Sequence, residues 1–365
     1  MIENIGRDDD MSTSGNINEQ SIANRIEWVF DLARRYSAEF CSPEAFLARE
    51  RYLAQHPTAI AVMKCMDGRI NIPVATKTPP GIIQPFRNLG GMFDMGWPHL
   101  GEVLAQYVQR MARSGRRVLI LITYHFSRGD VHRGCSGFNC DTDAAIAHTR
   151  QIQSQMEAIF GAAHNSVYPL ICGFETDEDA LLLHSPDGSV LDLSKDISAD
   201  KLVAELALRF HDMPNEMRSD LLPLLVGNLS HIKGLRQERR ALTVEHREWM
   251  ICLGRGFDFL HTPNLALIVG PYSPNLADPI RKAAAIIESN MAAGRIPDDG
   301  FLLLASVPYD EIGVDRARAV MKSNFLSMFA AEVINQEFPD LAGKMIRRTA
   351  VLDWNSRRIE AVVKE

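Results

Sequence analysis

The sequence predicts an α/β fold in which one strand-and-helix unit is laid down twice along a single chain. Short apolar runs rich in β-branched residues alternate with longer stretches whose apolar residues recur every three or four positions, the periods of strand and helix. The alternation runs from residue 58 to 193 and again from 248 to 363. The segments MKCMDGR and MICLGRG stand at matching places in the two passages. Length agrees, because 365 residues are two to three times a usual domain.

Residues 1–20, MIENIGRDDDMSTSGNINEQ, are polar and acidic and read as a disordered tail; they lack the charged-then-apolar layout of a secretory signal. Residues 21–57 form an N-terminal helical segment, with Ile22, Ile26, Val29, Phe30, Ala33 and Tyr36 on one face of a single amphipathic helix. At Thr58 the pattern changes, and TAIAVMKC reads as a buried strand followed by coil through Lys77–Gly81. A helix from Leu100 to Ala112 is entered at Pro98 and ended by Gly115, and RRVLILITYH is the next strand. Asp141 or Thr142 caps a helix reaching Ile159 and stopped by Gly161. The segment YPLICGFETDEDALLLHSPDGSVLDL reads as strands joined by turns at Thr176–Asp179 and Pro186–Gly188. Helical stretches at Ala199–Phe210 and Glu216–Leu225 bridge to the second passage, in which EWMICLG is a strand and LADPIRKAAAIIESNM a helix. There GFLLLASVPY is a strand, Val314 to Phe338 a helix, and RRTAVLDWNSRRIEAVV a strand pair. Residues 58–212 are expected to form one domain and 213–365 the other.

Composition narrows the function. Thirty-nine basic against 46 acidic residues leave a net charge of −7, so no bulk basic surface is available for nucleic acid. Runs such as Val118–Thr123 and Phe301–Val307 fall far short of the roughly 20 apolar residues that span a bilayer, so no membrane span is expected. Without an export signal, the six cysteines read as buried thiols or metal ligands in a cytoplasmic protein, not as a disulfide framework.

The chemistry concentrates at the first strand ends. Cys65-Met66-Asp67-Gly68-Arg69 follows the first strand directly, where α/β sheets place their binding crevices. The second strand ends at His125, and Cys135 lies ten residues on, in HFSRGDVHRGCSG. Cys, His and Cys would give three protein ligands and leave a fourth place open, the usual arrangement of catalytic zinc. His132 is a second candidate for the histidine, since His132-Arg133-Gly134-Cys135 satisfies an H-x-x-C spacing.

These residues resemble the β-class carbonic anhydrases, whose zinc strand carries C-x-D-x-R, and FRNLGG at 86–91 resembles the R-N-A-G stretch of that family. YHFSRGDVHRGC is similar to the carboxysomal branch of the family, in which the ligand is the histidine of Y-H-F-S. The resemblance implies a β-carbonic-anhydrase-like sheet with flanking helices, duplicated with a degenerate second half, and Zn²⁺ held by Cys65, His125 and Cys135. It implies that Asp67 accepts a hydrogen bond from the attacking hydroxide while Arg69 keeps Asp67 off the metal. Asn88, Gly90 and Gly91 would bring backbone close to a small substrate, and His132 would carry protons to bulk water. The second half has lost its site: Cys252-Leu253-Gly254-Arg255 lacks the aspartate, and LLLASVPYD has neither histidine nor a following cysteine.

The function implied is reversible hydration of carbon dioxide to bicarbonate, with one site per chain. A zinc hydrolase of another small linear substrate such as carbon disulfide, or a non-catalytic microcompartment scaffold, are the alternative readings. Partners implied are the small substrate, further copies in a homo-oligomer, and carboxysome shell or cargo proteins, with the protein cytoplasmic or within a carboxysome. The segment before Thr58 is shorter than the helical N-terminal part of carboxysomal enzymes, which bears on shell attachment.

Overall fold

The computed structural model describes residues 17–195, 197–237, 245–256 and 264–362. Most of the expected tail, residues 1–16, lies outside them, and Ile17–Glu19 form a 3-10 turn. Two helices follow where the sequence predicted one. Helix α1 (Ile22–Phe40) starts where the Ser21 side chain accepts from the Asn24 N–H, and α2 (Pro43–Gln55) where Ser42 accepts from the Ala45 N–H. Helix α2 buries none of its residues and so carries no apolar stripe to be read; its sequence signal is the Ser-Pro start.

The first sheet contains β1 (Ala59–Cys65), β2 (Ile83–Asn88), β3 (Val118–Phe126), β4 (Val167–Glu175), β5 (Ala180–His184) and β6 (Val190–Asp192). Their order is β2-β1-β3-β4-β5-β6, the first four parallel and the last two antiparallel. Every residue of β1 is buried, as expected of a parallel strand covered on both faces, which is why its sequence is a continuous apolar run. Between the strands lie α3 (Ile72–Ala75), α4 (Pro98–Arg113) and α5 (Thr142–Phe160). Leu100 and Leu104 of α4 and Ile152 and Met156 of α5 pack on Met63, Phe86 and Ile120 on one face of the sheet.

Helices α6 (Ala199–Arg209) and α7 (Asn215–Gln237) lead to the second half. Helix α7 continues past the predicted end at Leu225 and through Pro223, because Leu221, Leu224, Leu225 and Ile232 bury one side of it in the core. The second half holds β7 (Met250–Leu253), β8 (Ala266–Val269), α8 (Ala277–Ala292), β9 (Phe301–Tyr309), α9 (Val314–Glu337), α10 (Pro339–Ala342), β10 (Met345–Asp353) and β11 (Arg358–Ala361). Read from its other edge the sheet runs β8-β7-β9-β10-β11, four parallel strands and one antiparallel, which repeats β2-β1-β3-β4-β5. The duplication expected from the sequence is thus a duplication of topology.

The two sheets meet through the edge strands β2 and β8 and the turns beside them. The Ile268 N–H donates to the Met66 carbonyl at 2.9 Å, Gly270 N–H to Arg87 at 3.0 Å, and Asn264 N–H to Gly68 at 2.7 Å. One apolar core runs through both halves, joining Val62 and Leu121 to Trp249, Leu267 and Leu303. Helix α7 closes on α3 so tightly that a Cβ at Gly227 would stand 1.9 Å from the Thr76 carbonyl oxygen, whereas a Cβ at Gly234 meets nothing within 4 Å. Gly227→Ala is therefore expected to destabilise the protein by about 3 kcal/mol through overpacking, and Gly234→Ala to stabilise it by roughly 0.5–1 kcal/mol. Urea unfolding of the two variants checks both signs.

Candidate metal centre

Strands β1 and β3 are parallel neighbours, so their C-terminal ends lie side by side and bring Cys65 to His125. Cys135, on the loop after β3, closes the group: its Sγ, the Cys65 Sγ and a His125 ring nitrogen all lie within 4.8 Å of one another. All three residues are buried, His125 to 3% exposure. Neither ring nitrogen of His125 has a hydrogen-bond partner among the described residues. Leaving such a group unsatisfied costs about 1–3 kcal/mol. Two sulfurs and an imidazole converging at one place are the donor set that suits zinc.

The two thiols face one another. Their hydrogen bond and burial push the Cys65 thiol up, while the same bond brings Cys135 below its ordinary value. Backbone closes tightly behind them: Gly91 has φ +66°, and a Cβ there would stand 3.0 Å from the Thr123 carbonyl oxygen and 3.5 Å from the Cys65 nitrogen. Asn88 fastens the turn by donating to the Met92 carbonyl at 2.7 Å.

Asp67 and Arg69 sit beside this group, each side chain 5% exposed. Arg69 grips the carboxylate with Nη2 at 2.7 Å and Nε at 3.1 and 3.2 Å from its two oxygens, and the Arg69 N–H donates to Oδ1 at 2.8 Å. Burial pushes the Asp67 carboxyl up, but the Arg69 guanidinium, then His246 and His125, hold it far below the usual carboxylate range. Arg69 Nη2 also donates to the Arg133 carbonyl at 3.2 Å and so ties the Cys135 loop to the pair.

Two residues that sequence reasoning missed complete the surroundings, and both come from the second half. His246 Nε2 is 3.8 Å from Asp67 Oδ2, and His246 Nδ1 is 2.9 Å from Oε2 of the fully buried Glu248. Glu248 Oε1 accepts from the Gly68 N–H at 3.1 Å, fastening the Asp67–Arg69 turn across the boundary between the halves. Against burial, Glu248 and Asp67 raise the His246 ring above its ordinary value. The alternation His246-x-Glu248 just before β7 was the available signal, since it puts both side chains on one face of extended chain. Asp67, His246 and Glu248 also lie within 4.8 Å of one another. The Arg69 guanidinium on Asp67 already supplies the positive charge a cation would bring there.

The remaining sequence candidates lie elsewhere. His132 is exposed in the turn Val131–Arg133 and does not join the sulfurs. Cys252 is buried in β7, and among the described residues no Cys/His group forms in the second half. Arg69→Ala should destabilise the protein by about 3–5 kcal/mol at pH 7, by leaving Asp67 charged and buried without its partner. Asp67 is depressed in the folded state, so the stability it confers is present above its unfolded pKa and lost only as pH falls through the much lower folded value. The destabilisation by Arg69→Ala should therefore shrink toward pH 4, where its Asp67 can protonate; urea midpoints at the two pH values read this.

Residues 48–219 match the family model described as the catalytic domain of the carboxysome shell carbonic anhydrase. The chain is also similar to curated carboxysome shell carbonic anhydrases. It is 28% identical over 236 residues to that of Prochlorococcus marinus strain MIT 9313, covering 56% of this chain and 46% of the relative. It is 26% identical over 257 residues to that of Halothiobacillus neapolitanus, covering 57% and 49%. With the protein of Hydrogenovibrio crunogenus the identity is 26% over 144 residues, covering 36% and 27%. The chain spans about half or less of the length of these relatives.

Proposed function

Taking as premise that residues 48–219 are similar to the catalytic domain of carboxysome shell carbonic anhydrases, we propose that this chain interconverts carbon dioxide and bicarbonate at a zinc ion held by Cys65, His125 and Cys135. The observation that carries the reading is the buried Cys-His-Cys group, with its orphaned imidazole, beside an ion-paired aspartate. When bound, zinc supplies the Lewis acidity that turns water into a nucleophile near neutral pH. Two thiolates and a neutral imidazole cancel the charge of the ion, so that acidification is weaker than with three histidines and activity should rise toward mildly alkaline pH.

The chain's own residues do the rest. Asp67 accepts a hydrogen bond from the attacking oxygen and turns a lone pair toward the substrate carbon. Arg69 positions Asp67, and by occupying both its oxygens keeps it from acting as a further ligand. His246 and Glu248 hold the same turn from the other half. Residues 58–212 are then the catalytic unit and 213–365 a degenerate copy that supports it. By analogy with the relatives' names, the place of action proposed is the carboxysome, with shell or cargo proteins as partners.

Metal analysis combined with a carbon dioxide hydration assay across pH tests the reading. One zinc per chain is expected, with activity climbing between pH 7 and 9; a stoichiometry near zero or two would contradict it. Asp67→Ala should retain zinc and lower kcat by roughly 10²–10⁴-fold. His125→Ala should lose zinc and activity together, whereas His132→Ala should keep zinc and lose at most a proton-transfer component that imidazole buffer restores. Zinc lost in His132→Ala and kept in His125→Ala would transfer the ligand role to His132.

A further inference from the structure

A second concave site lies away from the metal ligands. A cavity of 230 Å³ opens between α1, the start of β2, the end of α4 and the β10–β11 turn. Its lining includes the basic residues Lys64, Arg110, Arg116, Arg255 and Arg357 against one carboxylate, Glu39. Such an excess of positive charge in a protein of net charge −7 is not a property of the surface at large.

Arg116 Nε donates to the Pro57 carbonyl at 2.7 Å and Arg110 is exposed, but Arg255 and Arg357 leave buried nitrogens without a partner among the described residues. Arg357 is 7% exposed, and its Nε and Nη1 have no hydrogen-bond partner among the described residues; the same holds for Arg255 Nε. Arg49, whose side chain approaches the cavity wall at Gly81, likewise leaves Nη1 unpartnered among the described residues. Burial, then Arg49 and Arg255, lower Arg357 to about 10. Aromatic rings take the faces of these cations: Arg357 stacks 3.4 Å over Trp354, Arg49 3.8 Å over Phe40, and Arg255 lies 5.6 Å from Trp354. With their faces covered, the guanidiniums have their N–H edges left for a ligand.

Burying like charges together costs free energy, which Asp310 and Asp353 offset in part at Arg357 and which a bound anion would offset further. Planar N–H forks suit tetrahedral oxyanions, which accept two parallel bonds per guanidinium. The excess of several positive charges calls for more than one negative charge in the occupant, and the volume limits it to a small molecule. We propose that this cavity is a binding site for a small, multiply charged anion of the phosphate class. Arg255 belongs to the turn after β7, the counterpart of the turn that carries Asp67 and Arg69 in the first half. In that register Gly254 stands where the first half has Asp67, so Arg255 has no counterpart of that aspartate beside it.

The experiment titrates the full-length, zinc-loaded protein with inorganic pyrophosphate, inorganic phosphate and citrate, following heat and tryptophan fluorescence, to which Trp354 contributes from the cavity wall. Pyrophosphate is expected to bind one per chain and to raise Tm in a concentration-dependent way, with phosphate weaker by tenfold or more. Arg255→Gln and Arg357→Gln should each weaken pyrophosphate at least tenfold, with Arg357→Lys intermediate, and zinc content unchanged. Should Arg357→Gln fail to fold, Arg110→Gln at the exposed rim reads the same site with a smaller loss. No saturable binding, binding unmoved by Arg255→Gln, or citrate binding as tightly as pyrophosphate would overturn the proposal. The readouts do not depend on turnover, so their outcome is separate from that of the hydration assay.

Discussion

Asp67 and Arg69 are charged groups held almost wholly out of water, and each is tolerable there only because the other neutralises it. The surroundings of the candidate metal ligands follow from that constraint. The carboxylate is fixed two residues from Cys65, the guanidinium reaches across to the Arg133 carbonyl and steadies the loop that delivers Cys135, and the intervening Gly68 is fastened by Glu248. A Cβ at Gly68 would stand 2.7 Å from the Ala266 carbonyl oxygen, so the turn has room for its ion pair only while that position is glycine. Chemistry, loop order and the contact between the halves thus converge on one short turn.

The parts of this arrangement that could be read from the sequence are those that chain proximity dictates. Cys65, Asp67 and Arg69 lie within five consecutive residues, and His125 terminates an unmistakable apolar strand, so parallel pairing of β1 and β3 was enough to bring them together. His246 and Glu248 could not be placed that way, because their proximity to Asp67 depends on two sheet edges meeting across 180 residues of chain. Strands β2 and β8 escaped for a related reason. They are short edge strands, and β2 carries Pro85 and Arg87, so their local signal is weak and their pairing supplies the definition. Helix α2 has no buried face, and α7 runs past its expected end at Leu225, with Pro223 inside it, because tertiary burial outweighs the local penalty.

Among the described residues, the two halves share a topology, but only the first brings two cysteines and a histidine together. The second half preserves in its sheet the strand order and the parallel core of the first, down to the antiparallel strand at the far edge. What it lacks are point features at strand ends, the counterparts of Asp67, His125 and Cys135. What it retains is the edge that faces the first half and the residues leading into β7, of which His246 approaches Asp67. Burial explains both: interior positions such as Trp249, Leu267 and Leu303 belong to the shared core and cannot drift without destabilising both sheets.

The backbone bonds from Asn264, Ile268 and Gly270 to Gly68, Met66 and Arg87 join two sheets that belong to one polypeptide. Tethering changes the mass action of that contact. Between separate subunits the association would weaken on dilution, whereas within one chain each half meets the other at an effective concentration of order millimolar, whatever the amount of protein present. The support that His246 and Glu248 lend to Asp67 is then independent of expression level, and the arrangement stays assembled in a compartment holding only a few molecules.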